Sequence, residues 1–150
     1  MDGKCCGGIF RFPAVADVPY HKEEEVRILA EECCFAGSIK TTERTVGGII
    51  DGIWGAHVTM SHVLFSGSVE CEWDESAARA GGIVGFMRNA GATLNLSDSL
   101  STGSVVSGNQ YYTGSVIGLF YGGTAFTSTD CYMSGSSYDV AIGRSGTQGE

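Results

Sequence analysis

Four polar residues of this chain recur at one place of an internal repeat, and they are its best candidates for catalysis. Each stands five residues before a glycine that closes its unit: Glu32, His62, Asp98 and Asp130. If the units stack, neighbours in this column lie roughly 4.8 Å apart. Two carboxylates so close perturb each other and can share a proton, and retaining glycosidases use carboxylates about 5 Å apart. Asp98 and Asp130 therefore define one hypothesis, a polysaccharide-degrading β-helix enzyme.

A structural interpretation of the same column is favoured over the catalytic one. The position comes just before a turn, where Asp and Asn side chains bond the local backbone. We therefore expect the column to build turns, and we predict no catalytic residues.

Ligand binding is predicted instead at residues that do not repeat. Trp73 and Asp74 lie in a variable loop at residues 70–79, and Tyr111 and Tyr112 lie in a second polar stretch. Aromatic side chains at such edges stack on sugar rings and are enriched at protein interfaces. We predict these four residues as ligand-binding, although surface packing explains the three aromatic ones equally well.

No metal or cofactor site is predicted. His57 and His62 stand five residues apart in one strand-like stretch, which places them on opposite faces. The six cysteines include two adjacent pairs, Cys5-Cys6 and Cys33-Cys34, that lack the two-residue spacer of zinc sites. Buried, reduced thiols are favoured over a four-thiolate zinc site. The chain also shows no Gly-x-Ser-x-Gly elbow, phosphate loop or calcium-binding nonapeptide array.

The elements that position these residues follow from the repeat. Three stretches align without a gap, at residues 55–69, 91–105 and 123–137, and a looser copy ends at residues 35–39. Each unit opens with a block of the Gly-Gly-Ile type, and successive blocks are 40, 34 and 33 residues apart. A period in the thirties with glycines at fixed places indicates stacked units.

Apolar and polar residues alternate with period two inside the repeat, which predicts strands. The mostly apolar columns are Ile28/Val58/Leu94/Phe126, Ala30/Met60/Leu96/Ser128, Cys34/Leu64/Leu100/Tyr132 and Ile39/Val69/Val105/Ser137. A mostly polar column separates the first two: Leu29/Thr59/Asn95/Thr127. Because no unit can bury its apolar face alone, neighbours must cover it. We predict an all-β fold, a parallel β-solenoid (β-helix-like) of about four coils, with Gly-rich turns at positive φ.

The repeat also predicts the organisation of the chain. A single solenoid domain spans residues 1–150, with coils at about 7–45, 46–79, 80–112 and 113–139 and a partial coil at 140–150. The first coil carries an insertion at residues 12–22. Neither end shows a cap, and exposed strand edges invite pairing with another chain. We therefore expect either a longer array or a homo-oligomer formed through the solenoid ends.

The charge and hydropathy of the chain disfavour some classes of binding partner. The formal net charge is −8, which disfavours nucleic acid and anionic membranes. No apolar run approaches the roughly 18 residues of a membrane span, so no membrane insertion is expected. The first residues do not have the plan of a signal peptide, which keeps a cytoplasmic location as an alternative.

The repeat resembles the GLUG-motif repeats of bacterial secreted and surface proteins. The matching blocks are residues 80–85, residues 97–105 and the Asp-Cys-Tyr-Met-Ser-Gly run at residues 130–135. The resemblance covers residues 46–143 well and the first 45 loosely. It implies a secreted or cell-surface location and a role in adhesion. No catalytic residues belong to the motif, so none are implied here. The insertion in the first coil and the adjacent cysteines depart from the family pattern.

Together these observations predict a non-catalytic repeat module of a secreted or surface bacterial protein. Its expected role is adhesion, or binding to a protein or glycan on another cell surface. The alternatives are the polysaccharide-degrading enzyme with stacked carboxylates and a self-assembling structural subunit.

Overall fold

The architecture is that of a parallel β-solenoid. A computed structural model describes residues 5–9, 26–73, 78–88, 91–108, 110–134 and 141–146. The described part is all-β, and every strand pairing in it is parallel. The predicted insertion at residues 12–22 and the column residue Ser137 lie outside the described residues. Among the described residues, no helix is long and apolar enough to cross a bilayer.

The strands are short and recur in the same order in each coil. The first coil contains β1 (Cys5–Gly7), β2 (Arg27–Glu31), β3 (Cys34–Phe35) and β4 (Ser38–Thr41). The second contains β5 (Thr45–Gly47), β6 (Ile50–Trp54), β7 (His57–Ser61), β8 (Leu64–Phe65) and β9 (Ser68–Cys71). The third contains β10 (Arg79–Gly81), β11 (Val84–Arg88), β12 (Thr93–Ser97), β13 (Leu100–Ser101) and β14 (Ser104–Ser107).

A 3-10 turn, Gln110–Tyr112, leads into the last coil. That coil contains β15 (Thr113–Gly114), β16 (Ile117–Tyr121), β17 (Ala125–Thr129) and β18 (Tyr132–Met133), and β19 (Ile142–Gly146) follows. Equivalent strands stack into five sheets. Sheet A is β1-β5-β10-β15, sheet B is β6-β11-β16-β19, sheet C is β2-β7-β12-β17, sheet D is β3-β8-β13-β18 and sheet E is β4-β9-β14.

The strand register confirms the predicted repeat. Gly47 pairs with Gly7 and with Gly81, and Gly81 pairs with Gly114. These pairings reproduce the steps of 40, 34 and 33 residues. The expected count of about four coils is slightly high, because the strands form about three turns. One turn is complete each time the chain comes back to the same sheet. Sheet A has four strands, so the chain comes back to it three times.

The solenoid interior is a continuous apolar core. Val58 and Leu94 form one fully buried ladder, and Met60 and Leu96 form another. The predicted third column does stack, but it faces outward, since Leu100 is 39% and Tyr132 63% exposed. The inward positions beside it belong instead to a ladder with Val63 and Ser99 and to a ladder that starts at Phe35.

Two of the closing glycines, Gly67 and Gly103, are required by close packing and not, as predicted, by positive φ. Positive φ occurs among the described glycines at Gly55, Gly91 and Gly123. At Gly103, a Cβ atom would collide with the carbonyl oxygen of Gly67 and with the ring of Phe65. The coils therefore approach so closely at this corner that only a hydrogen atom fits.

Candidate functional site

The column proposed for catalysis forms a tight corner between sheets C and D. Its four residues have left-handed backbone angles, with φ of 54° at Glu32, 54° at His62, 48° at Asp98 and 52° at Asp130. All four side chains are exposed. Only glycine visits this region routinely, with Asn, Asp and His next. His62, Asp98 and Asp130 therefore fit a backbone requirement of the turn, whereas Glu32 is not a residue type favoured there.

Backbone hydrogen bonds connect these corners from coil to coil. The Asp98 amide donates to the Thr129 carbonyl over 3.0 Å, and the His62 amide donates to the Ser97 carbonyl over 3.2 Å. Asp98 and Asp130 thus stack as expected, but on an exposed corner and not in a cleft. Among the described residues, no group of three or more His, Cys, Asp or Glu is placed to hold a metal ion.

The described members of the predicted ligand-binding set, Trp73, Tyr111 and Tyr112, fall at one corner of the solenoid, between sheets E and A. Trp73 follows β9, and its backbone passes Gly108, which follows β14. The Trp73 side chain is half-buried and packs against the main core. No hydrogen-bond partner for its buried Nε1–H occurs among the described residues. Asp74 lies outside the described residues.

The two tyrosines of the 3-10 turn have different surroundings. Tyr111 is 61% exposed. Tyr112 is half-buried and packs against a separate cluster formed by Phe86, Leu119 and Tyr121. Of the described candidates, Tyr111 alone therefore presents most of its aromatic surface to solvent.

The cluster around Tyr112 is a second, smaller core on the outside of sheet B. The Arg79 guanidinium lies 4.9 Å from the ring centre of Phe86 and 6.0 Å from that of Tyr121. Its Nη2 donates to the Tyr121 hydroxyl over 3.4 Å. Trp54 meets Phe86 edge to face, with ring centres 4.4 Å apart. These contacts are cation–π interactions and aromatic packing. The cluster that they hold together is the surface against which Tyr112 packs.

A regular polar surface lies on the outer face of sheet C. We call this surface the C face. It consists of three outward columns, which are Arg27/His57/Thr93/Ala125, Leu29/Thr59/Asn95/Thr127 and Glu31/Ser61/Ser97/Thr129. The alternate residues of the same strands point inward, so the face is built by the period-two geometry of β2, β7, β12 and β17.

Side-chain hydrogen bonds on the C face connect successive coils. Thr127 Oγ1 donates to Asn95 Oδ1 over 2.6 Å. His57 Nδ1 and Thr93 Oγ1 are 2.9 Å apart. An open groove of about 400 Å³ follows the same coils, between Arg27 and Leu29 at one end and Asn95 at the other. These bonds join polar side chains of neighbouring coils.

Sequence reasoning found only the middle column of this face, and it treated that column as a strand signal. The missed signal is the Thr/Ser/Asn content of the positions two residues to either side, such as Thr93, Ser61 and Ser97. On a strand, residues two apart share a face. The alternation of inward and outward residues therefore indicates the polar residues of the C face as well as the apolar residues of the core.

Comparisons with protein-family models, curated proteins and solved structures find no match to this chain.

Proposed function

We propose that this chain is a non-catalytic repeat module of a secreted or surface bacterial protein, serving adhesion by binding a glycan or protein ligand. The observation that supports the proposal is the C face, where a hydroxyl or amide side chain of the middle column recurs in the second, third and last coils. Such groups both donate and accept hydrogen bonds. The net charge of −8 argues against nucleic acid as the partner.

The C face suits binding because its side chains are regularly spaced. Neighbouring side chains in a column lie about 4.8 Å apart, and neighbours along a strand lie roughly 6.6 Å apart. A parallel sheet holds these distances with little freedom, so less conformational entropy is lost when a ligand binds. Tyr111, at a different corner, is proposed as a separate contact, together with Trp73, Asp74 and Tyr112.

A binding and hydrolysis experiment tests the proposal. The purified chain is applied to a glycan array, and each bound glycan is then incubated with the chain and examined for cleavage. We expect binding without cleavage, and we expect a Thr59→Val, Thr127→Val double variant to bind less. Cleavage that disappears in an Asp98→Asn, Asp130→Asn variant with unchanged folding would support the enzyme instead.

Self-assembly is a second candidate because of the two outermost coils. Phe126 and Met133 at one end and Ile28 and Phe35 at the other belong to inward ladders but are only partly buried. β17 and β2 are the edge strands of sheet C. Light scattering over a wide concentration range tests for a homo-oligomer, and a constant monomer mass would exclude it.

A further inference from the structure

We infer that the ligand of the C face is a neutral, extended polysaccharide that lies along the solenoid axis, with about one sugar unit for each coil. This inference rests on the proposed function and names the ligand class of the same face. It follows from three properties of the face: its repeat distance, its charge and the direction of its hydrogen bonds.

The repeat distance distinguishes between polymers. Along the axis, Thr59, Asn95 and Thr127 offer a polar group in the second, third and last coils, about 4.8 Å from the next, and Leu29 occupies the same column in the first coil. A pyranose chain linked through opposite sides of its rings advances by close to this distance per sugar. An extended peptide advances by about 3.3 Å per residue, so its groups fall out of step with the coils. Of these two polymers, the glycan therefore stays closer in step with the coils, and because successive sugars of such a chain are turned over, the same side of the ring faces the solenoid at every second coil.

Charge favours a neutral sugar. The middle and third columns carry no charged side chain in the second, third and last coils: Thr59, Asn95, Thr127, Ser61, Ser97 and Thr129. The charged side chains of the face, Arg27 and Glu31, both lie in the first coil, so along the other coils a carboxylate- or sulfate-bearing sugar would lose its hydration without a compensating charge. Hydroxyl and amide groups match the hydroxyls of a neutral sugar.

On the C face, the side-chain hydrogen bonds run along the solenoid axis, from one coil to the next. Thr127 donates to Asn95 Oδ1, which leaves the Asn95 Nδ2 hydrogens as donors for a ligand. The His57–Thr93 contact also runs from one coil to the next. Along a strand, by contrast, residue types change and the surface ends at the Asp98 corner. Leu29, 66% exposed at the first coil, adds apolar surface for the C–H side of a sugar ring.

Titration calorimetry with oligosaccharides of defined length tests the inference. The probes are β-1,4-linked oligomers of glucose and of N-acetylglucosamine, two to six units long, with α-1,4-linked glucose oligomers as curved counterparts. We expect one of the two β-1,4 series to bind, with affinity that rises to about four units and then levels off. The α-1,4 series should bind at least roughly tenfold more weakly.

Substitutions in the middle column of the C face test whether this column binds the oligosaccharide. Thr59→Val and Thr127→Val remove a hydroxyl at nearly constant shape, and together they should lower affinity by roughly tenfold or more. Thr102→Val is the matched control, because Thr102 is exposed between β13 and β14 on another side of the molecule. Melting curves must coincide for all variants, so that lost affinity is not lost folding.

Each contrary result has a distinct meaning. If neither β-1,4 series binds, or affinity does not depend on length, the inference is overturned. The proposed function survives that result if the C-face variants still weaken binding to a protein or a branched glycan found by the array. If no array ligand is affected by the C-face variants, the proposed function fails as well.

Discussion

At the scale of single residues, the corners of the solenoid depend on two different backbone demands. At Gly103 the demand is space, because the neighbouring coil leaves no room for a Cβ atom. At Asp98 the demand is conformation, because φ is 48°. The demand for space is shared by Gly67 and Gly103, and the demand for positive φ recurs at Glu32, His62, Asp98 and Asp130.

Replacing Gly103 tests the first demand. Gly103→Val should lower the free energy of unfolding by about 3 kcal/mol or more, because the new side chain meets the Gly67 backbone and the Phe65 ring. Gly108→Ala is the control, since a Cβ there has only one neighbour, the Trp73 carbonyl oxygen at 3.8 Å. Urea denaturation measures both. Equal stability of the two variants would contradict the close-packing account.

Replacing Asp98 tests the second demand. Asp98→Gly should remain within about 1 kcal/mol of the parent, because glycine accepts positive φ. Asp98→Val should lose about 1–2 kcal/mol, because a β-branched side chain does not accept it. Ser104→Val, on the exposed side of β14, is the control for the valine itself. If Asp98→Val is as stable as Ser104→Val in thermal melts, the corner does not require this conformation.

The thiols should differ sharply in reactivity. Cys34 is exposed, whereas Cys71 is buried and its Sγ donates to the Glu43 carbonyl oxygen over 3.2 Å. Burial raises the pKa of the Cys71 thiol above its ordinary value. We expect iodoacetamide to modify Cys34 in the folded protein and Cys71 only after unfolding in guanidinium. Peptide mapping by mass spectrometry reads this out, and fast folded-state labelling of Cys71 would contradict its burial.

The same burial makes stability depend on pH. Because the folded pKa of Cys71 lies above the unfolded one, the neutral thiol stabilises the fold fully below the unfolded value of about 8.5. That contribution is lost as the pH rises through the folded pKa. A Cys71→Ala variant should therefore lose less stability than the parent between neutral and alkaline pH.

At the scale of elements, the stacking of strands could be read from the sequence, but the direction of every side chain could not. Period two correctly predicted Val58 and Met60 as inward neighbours in β7. It failed at Leu64, because the left-handed residue His62 changes the direction of the chain between β7 and β8. Such a change of side-chain direction depends on the backbone angle φ of one residue. The alternation of apolar and polar residues does not predict that angle.

The candidate site was harder to predict than the fold. Thr59, Asn95 and Thr127 were recognised as one column, but a column becomes a surface only when its neighbours are known to face the same way. The Tyr112 cluster was missed because Arg79 and Tyr121 are far apart in sequence and meet only through their sheets. Sequence spacing reports contacts between successive coils well and contacts between different sheets poorly.

One side chain, Phe65, fills the interior where three coils meet. It is fully buried, and its ring lies where Cβ atoms of Gly48, Gly82 and Gly103 would otherwise be. Phe35 stacks on it from the first coil, with ring centres 6.1 Å apart and planes inclined by 4°. The small residues of the neighbouring coils therefore complement the volume of this ring.

Replacing Phe65 or Phe35 with alanine compares a fully buried and a partly buried aromatic residue of the same column. Phe65→Ala should cost about 3–5 kcal/mol, as expected for a fully buried aromatic residue. Phe35→Ala should cost distinctly less, because Phe35 is only partly buried. Chemical denaturation of both variants provides the comparison. Equal losses would mean that the first coil is packed as tightly as the second.

At the scale of the whole molecule, the solenoid is a one-dimensional stack in which each coil is held by its neighbours. β7 and β12 have a neighbour on both sides in sheet C, whereas β2 and β17 are edge strands. Burial follows the same order, since the inward residues of β7 and β12 are fully covered and those of β17 are not. Stability should therefore decrease from the centre of the stack towards its ends.

Hydrogen exchange followed by mass spectrometry tests this gradient. Amides of β7 and β12 should exchange at least roughly tenfold more slowly than those of β17 and β2, because local opening of an edge strand breaks one ladder where a central strand breaks two. Dilution distinguishes a property of the single chain from one of an oligomer. If the edge strands are as protected as the centre and lose that protection on dilution, another copy covers the ends. If they stay protected at every concentration, the coils unfold as one cooperative unit and the neighbour-by-neighbour account is wrong.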